Sequence, residues 1–173
     1  MRFITLVFLL ALYGNSNGQT KNPFLSLKFD KVLICDFEND GEHDYPLVNE
    51  KGQWTNIVKK SAQLDPLMTS KLITKLGDKQ SYGQTHAECF EPHFGIVFFK
   101  GGKDVAEVEI CLDCNVLSPT LVIPAQNQGK VGHGKDVYYT RDGMSKQFRR
   151  FINGLIRQYN FSHPIEAGLH WDK

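Results

Sequence analysis

Apolar and charged positions alternate most clearly between Phe94 and Leu112, where FGIVFFKGGKDVAEVEICL predicts a β-hairpin. Strands over Phe94–Lys100 and Asp104–Leu112 flank Gly101-Gly102-Lys103, a glycine-containing three-residue loop suited to a hairpin with a bulge. The faces choose the register. With Phe94 opposite Ile110, Ile96 opposite Val108 and Phe98 opposite Ala106, one face is wholly apolar and Glu107 and Glu109 share the other. A one-residue slip would set Glu109 against Phe94 and Glu107 against Ile96, mixing the two faces.

Upstream, KVLICDFE over residues 31–38 predicts a strand, Tyr45 to Asn49 a short second one and Trp54 to Lys60 another. Asp65 is a natural N-cap, Pro66 fits the first helical position and Gly77 sits where that helix should stop. Leu67, Met68, Leu72, Ile73 and Leu76 supply its apolar stripe. Leu121 to Ile123 predicts a short strand closed by Pro124, Gln126 to Asp136 a glycine-rich loop, and Val137 to Thr140 a last strand. A second helix, from about Met144 to Tyr159, places Phe148, Phe151, Ile152, Leu155, Ile156 and Tyr159 on one face. The expected fold class is α+β: a small antiparallel β-sheet with a central β-hairpin and two amphipathic helices packed against it.

The first residues read as a secretory signal peptide over 1–18, with Arg2, an apolar core from Phe3 to Tyr13, and small residues Ser16 and Gly18 before the cut. The apolar run is too short to span a bilayer, so no transmembrane anchor is expected. The mature chain, 19–173, is then a single α+β domain with 19–28 as a flexible leader. About 155 residues are enough for one core. The expected location is exported, periplasmic or extracellular. Lys plus Arg number 20 and Asp plus Glu 19, a balance that gives no reason to expect nucleic acid as a partner.

Four cysteines in an exported chain make disulfides the default. Folding the hairpin brings Cys89, His93, Cys111 and Cys114 to its open end. These four have the number and donor types of a tetrahedral zinc site; an oxidising compartment favours instead a disulfide from Cys89 to Cys111 or Cys114. A third use of the same residues is catalytic, with Cys111 or Cys114 as nucleophile or redox pair and His93 as acid/base. Cys35, mid-strand and without a ligand-spaced neighbour, reads as a small buried apolar thiol, with pairing to whichever hairpin cysteine is left over as the alternative.

Other groups carry weaker chemistry. Asp36, Glu38, Asp40, Glu42 and Asp44 alternate like a calcium loop, but Leu47 stands where a bidentate glutamate is required. They read as a solvated strand edge. Gly129 to Gly134 lacks the strand and helix that would make a phosphate cradle. Lys146, Arg149, Arg150 and Arg157 make the polar side of the second helix basic, a candidate patch for an acidic protein partner. His163, His170 and Trp171 fall in a C-terminal tail with the option of docking back on the domain and no tie to the cysteines.

The core C-F-x-P-H-x-G-I-V-F…I-C-x-x-C, here Cys89, Phe90, Pro92, His93, Gly95 to Phe98, Ile110, Cys111 and Cys114, resembles an uncharacterised family of exported, Bacteroidota-type bacterial proteins. Tyr82-Gly83 and the run Tyr159-Asn160-Phe161-Ser162-His163 are similar to it as well. The resemblance implies that Cys89, His93, Cys111 and Cys114 form the motif, with Cys35 outside it. It implies no activity, substrate or metal. The expectation is therefore a binding or structural module whose Cys/His site is held by a disulfide or zinc, with a thiol-dependent enzyme or redox protein as the alternative.

Overall fold

The computed structural model describes residues 22–38, 45–131, 133–136 and 138–165. The expected signal peptide, the acidic positions 40–44 and the tail from 166 onward lie outside them. Five strands form one antiparallel sheet in the order β2-β1-β3-β4-β5: β1 Lys31–Phe37, β2 Val58–Gln63, β3 Phe94–Lys100, β4 Lys103–Cys111 and β5 Val116–Pro119. Two helices complete the α+β fold, α1 Pro66–Gly77 and α2 Lys146–Gln158, and β6 Gly129–Val131 pairs with β7 Tyr138–Thr140 in a separate ribbon. No helix among the described residues is long and apolar enough to cross a membrane.

The hairpin turn is tighter than its sequence suggests. Lys100 pairs with Lys103, so the loop is Gly101-Gly102 alone, both at positive φ (58° and 82°). Two consecutive left-handed residues are what a two-residue turn between twisted strands demands, and glycine meets that demand without strain. The extra residue is absorbed as a bulge further on. Phe98 faces Ala106 but Phe99 faces Asp104, which leaves Val105 unpaired. Beyond the bulge Ile96 faces Val108 and Phe94 faces Ile110.

The sheet is buried on both sides. Val32 and Ile34 of β1, Phe94, Ile96 and Phe98 of β3, and Val108 and Ile110 of β4 share one cluster with Leu72, Ile73 and Leu76 of α1 and Phe148, Ile152, Leu155 and Ile156 of α2. On the opposite face Cys35, Phe37, Val97 and Phe99 pack with Leu47 and Val48 from the β1–β2 connection, edged by Trp54. Among the described residues that connection forms a bridge, Val48 to Trp54, in place of the two short strands expected there, and β2 begins later, at Val58. Polar residues between its apolar anchors leave it serving as a cover. The strand expected at Leu121 lies earlier, as β5, where Val116 and Leu117 extend the sheet beside β4.

Caps set the helix starts. The Asp65 carboxylate accepts from the Met68 N–H at 2.7 Å, and Ser145 caps α2 through the Phe148 N–H. The expected leader is shorter than residue 28: Phe24 is 1% exposed, stacks on Phe98 at 5.0 Å, and Asn22 donates to the Ile73 carbonyl. Residues from 22 onward belong to the packed domain because Phe24 fills the space between α1 and the sheet.

Glu107 sits in partial burial opposite Val97. Burial first, then the charges of Asp104 and Glu109, push its carboxyl up to about 7 from 4.5. The folded state therefore holds a proton that the unfolded chain releases between pH 4.5 and 7, so this group lowers stability as pH rises through that window. Glu107→Gln is expected to be neutral near pH 4 and stabilising by roughly 1–3 kcal/mol near pH 8. Urea unfolding of both proteins across that range is the check; parallel curves would refute it.

Candidate functional site

The structure divides the four motif residues between two places. Cys89 is bonded to Cys114, with Cα atoms 5.7 Å apart. Cys111 stays a free thiol, 1% exposed, and its sulfur accepts the Cys114 N–H at 3.2 Å. Burial pushes the Cys111 thiol up from its ordinary value, partly opposed by backbone hydrogen bonds. Cys35 is fully buried under Leu47, and burial drives its thiol upward strongly as well. Gly95 belongs to this packing: a Cβ there would come within 2.7 Å of Cys35 Sγ and 2.6 Å of Leu47 Cδ1.

His93 makes its contacts with β1 and with His163. Its Nδ1 lies 3.2 Å from the Phe37 carbonyl oxygen, while its own carbonyl accepts the Phe37 N–H at 3.1 Å. Its ring stacks on His163, centroids 4.1 Å apart and planes 14° from parallel. His163 Nδ1 is 3.3 Å from Asp36 Oδ1, and its Nε2 is 3.8 Å from Glu38 Oε1. Ligand atoms of Glu38, His93 and His163 all lie within 4.8 Å of one another.

Each member is delivered by an identifiable element. Asp36 shares the helix-side face of β1 with Val32 and Ile34, and so is 3% exposed rather than at a solvated edge. Its Oδ2 accepts the Ser162 N–H at 2.8 Å. Glu38 follows the strand two residues later, half-exposed. His163 arrives through the end of α2. Asn160 adopts φ 52°, its N–H bonds the Arg157 carbonyl, and the Phe161 N–H bonds the Ile156 carbonyl at 2.9 Å. This is the Schellman arrangement, with asparagine in the left-handed position. It reverses the chain, seats Phe161 against Phe94, and lowers His163 onto His93.

The partners fix the chemistry of both rings. A carbonyl oxygen only accepts, so His93 carries its proton on Nδ1; the Asp36 carboxylate selects the same tautomer in His163. In this tautomer each ring offers its lone pair at Nε2. A cavity of about 20 Å³ adjoins them, bounded by Asp36, Glu91, His93, Asp113 and His163 with apolar walls behind. It has room for about one water molecule.

The basic patch expected on α2 is not one surface. Arg149 is 0% exposed. On a helix it stands three and seven residues before Ile152 and Ile156, which puts it at the border of the apolar face. Its guanidinium turns inward to the Leu112 carbonyl and to Asn115 Oδ1 at 3.2 Å. Arg157, though exposed, donates to the Ile165 carbonyl at 2.9 Å. Lys146 and Arg150 do not make a patch by themselves.

Sequence reasoning placed His93 in a site but missed Asp36, Glu38 and His163 as its company. The usable signal was Asn160 after an amphipathic helix, which marks a chain reversal and therefore a docked tail. Fold and site together define a disulfide-bonded α+β domain with a paired-histidine cleft. No protein-family model, no curated protein and no solved structure matches the chain.

Proposed function

We propose that this is an exported, disulfide-stapled binding module, related to the bacterial family its hairpin resembles, whose ligand site is the cleft beside the stacked His93 and His163. The observation that carries the reading is the histidine stack itself: two rings 4.1 Å apart, each fixed through Nδ1, beside a half-exposed carboxylate. Holding two imidazoles in register costs both rings side-chain freedom and hydration. The disulfide fits an oxidising compartment. The cysteines serve the scaffold.

The thiol-enzyme alternative draws support from one feature, the backbone N–H aimed at Cys111 Sγ. Against it, burial raises this thiol, and a thiol kept protonated is a poor nucleophile. His93 is committed to the Phe37 carbonyl and to His163. Alkylation with iodoacetamide near neutral pH decides between the two. In the native protein Cys35 and Cys111 are expected to react only as fast as the chain unfolds, and at once in denaturant. Fast native labelling of Cys111 would overturn the binding-module reading.

A further inference from the structure

We propose that Glu38, His93 and His163 bind a divalent first-row transition metal ion of the zinc class, with Asp36 as the carboxylate that orients His163. The inference deepens the reading of the histidine cleft as the ligand site, and it shares only His93 with the Cys89, His93, Cys111 and Cys114 set that sequence spacing offers for zinc. Two imidazole nitrogens and one carboxylate oxygen are a donor set such ions accept, with a fourth position left for water or a ligand.

Three features argue for a metal rather than a chance cluster. The first is tautomer control. Ligating histidines characteristically donate their second N–H to a carboxylate or a backbone carbonyl, and here one ring does each, His163 to Asp36 and His93 to Phe37. The second is spacing. Tetrahedral bonds of about 2.1 Å need donors about 3.4 Å apart; one ligand atom of each residue lies within 4.8 Å of the others, and the Nε2 of His163 is 3.8 Å from Glu38. Glu38 is 52% exposed and free to close on the site, and the two rings, 14° from parallel, must turn towards each other for both lone pairs to reach one ion. The third is charge. The carboxylates of Glu38 and Asp36 offset the charge of a divalent cation.

Asp36 also anchors the segment that carries His163, through the Ser162 N–H. Metal binding and docking of residues 161–165 are therefore linked, and the ion should stabilise that segment as well as the site.

The test is titration of the chelator-treated full-length protein with Co²⁺, read by its visible d–d absorption, and with Zn²⁺ by calorimetry. One equivalent of ion should bind. His93→Ala and Glu38→Gln should each weaken binding by about tenfold or more, and Asp36→Asn by about 10- to 100-fold, the range for loss of an orienting partner. Cys111→Ser should bind as the parent does. Should a variant fail to fold, the parent alone still answers: Zn²⁺ should shift the ring resonances of His93 and His163. No saturable binding, unmoved histidine resonances, or a Co²⁺ spectrum with thiolate charge-transfer bands would overturn the proposal. Absent metal with Cys111 still inert to iodoacetamide would remove the metal and leave the binding module standing; fast Cys111 alkylation would remove that reading instead.

Discussion

Arg149→Ala is expected to lower the unfolding free energy by about 3–5 kcal/mol, from two buried acceptors left unsatisfied and the cavity beside them. The guanidinium is fully buried and joins α2 to the turn that follows β4. That turn is strained in a specific way: Asn115 sits at φ 58°, fully buried, and its Nδ2 donates to the Thr85 and Met144 carbonyls at 2.8 and 3.1 Å. Truncating Arg149 takes donors away from Leu112 O and Asn115 Oδ1 and leaves a cavity behind. Either loss is large against a typical total of about 5–15 kcal/mol.

Two companion variants separate the causes. Arg149→Met restores most of the volume without the hydrogen bonds, and Arg149→Lys keeps the charge but not the planar fork that reaches two acceptors. If the hydrogen bonds dominate, Met should be nearly as destabilising as Ala; if the cavity dominates, Met should recover most of the loss. Urea unfolding supplies the numbers. A loss below about 1 kcal/mol for Arg149→Ala would show that the turn holds itself.

The contrast between Arg149 and the hairpin shows where local pattern is informative. The apolar face of Phe94, Ile96 and Phe98 admits one register against β4, because a slip of one residue would bury Glu107 and Glu109 among aromatic and branched side chains. Asp65-Pro66 marks the start of α1 for similarly local reasons, since cap and first-turn geometry depend on neighbours in sequence. Arg149 has no such marker. Its position beside Ile152 and Ile156 allows a snorkelling surface arginine or a buried one, and only Leu112 and Asn115 across the core decide.

The candidate site divides along the same line. His93 was visible because a hairpin end gathers neighbours of modest sequence separation. Asp36, Glu38 and His163 come from β1 and from beyond α2, and their meeting depends on β1 lying next to β3 and on α2 ending over that pair. The alternation of carboxylates from Asp36 onward reads as a solvated strand edge, because charge at every second position is what an exposed strand shows. Burial of both faces turns Asp36 inward and gives its carboxylate a structural duty.

Removing the disulfide, by Cys89→Ser with Cys114→Ser, is expected to destabilise the protein by about 3 kcal/mol, the chain-entropy value for a closure of this length. The bridge spans 25 residues and encloses the whole hairpin. It also pins the irregular stretch leading into β3, which otherwise touches the β4–β5 turn through the Ala87 N–H on the Cys114 carbonyl and reaches the start of α2 through the Gln84–Gly143 bridge. His93 is the last residue of that stretch, four positions from Cys89. The double variant should therefore loosen the histidine stack as well as lower stability, and the two losses should appear together. Non-reducing peptide mapping of the parent should recover Cys89 linked to Cys114, with Cys35 and Cys111 as thiols; a Cys89–Cys111 link would relocate the staple. Cys111→Ser keeps the bridge, so it should spare the histidine site while showing the smaller loss of a packed thiol, about 1 kcal/mol. If that single variant proves the more destabilising of the two, Cys111 packing and not the closed loop holds this end of the sheet.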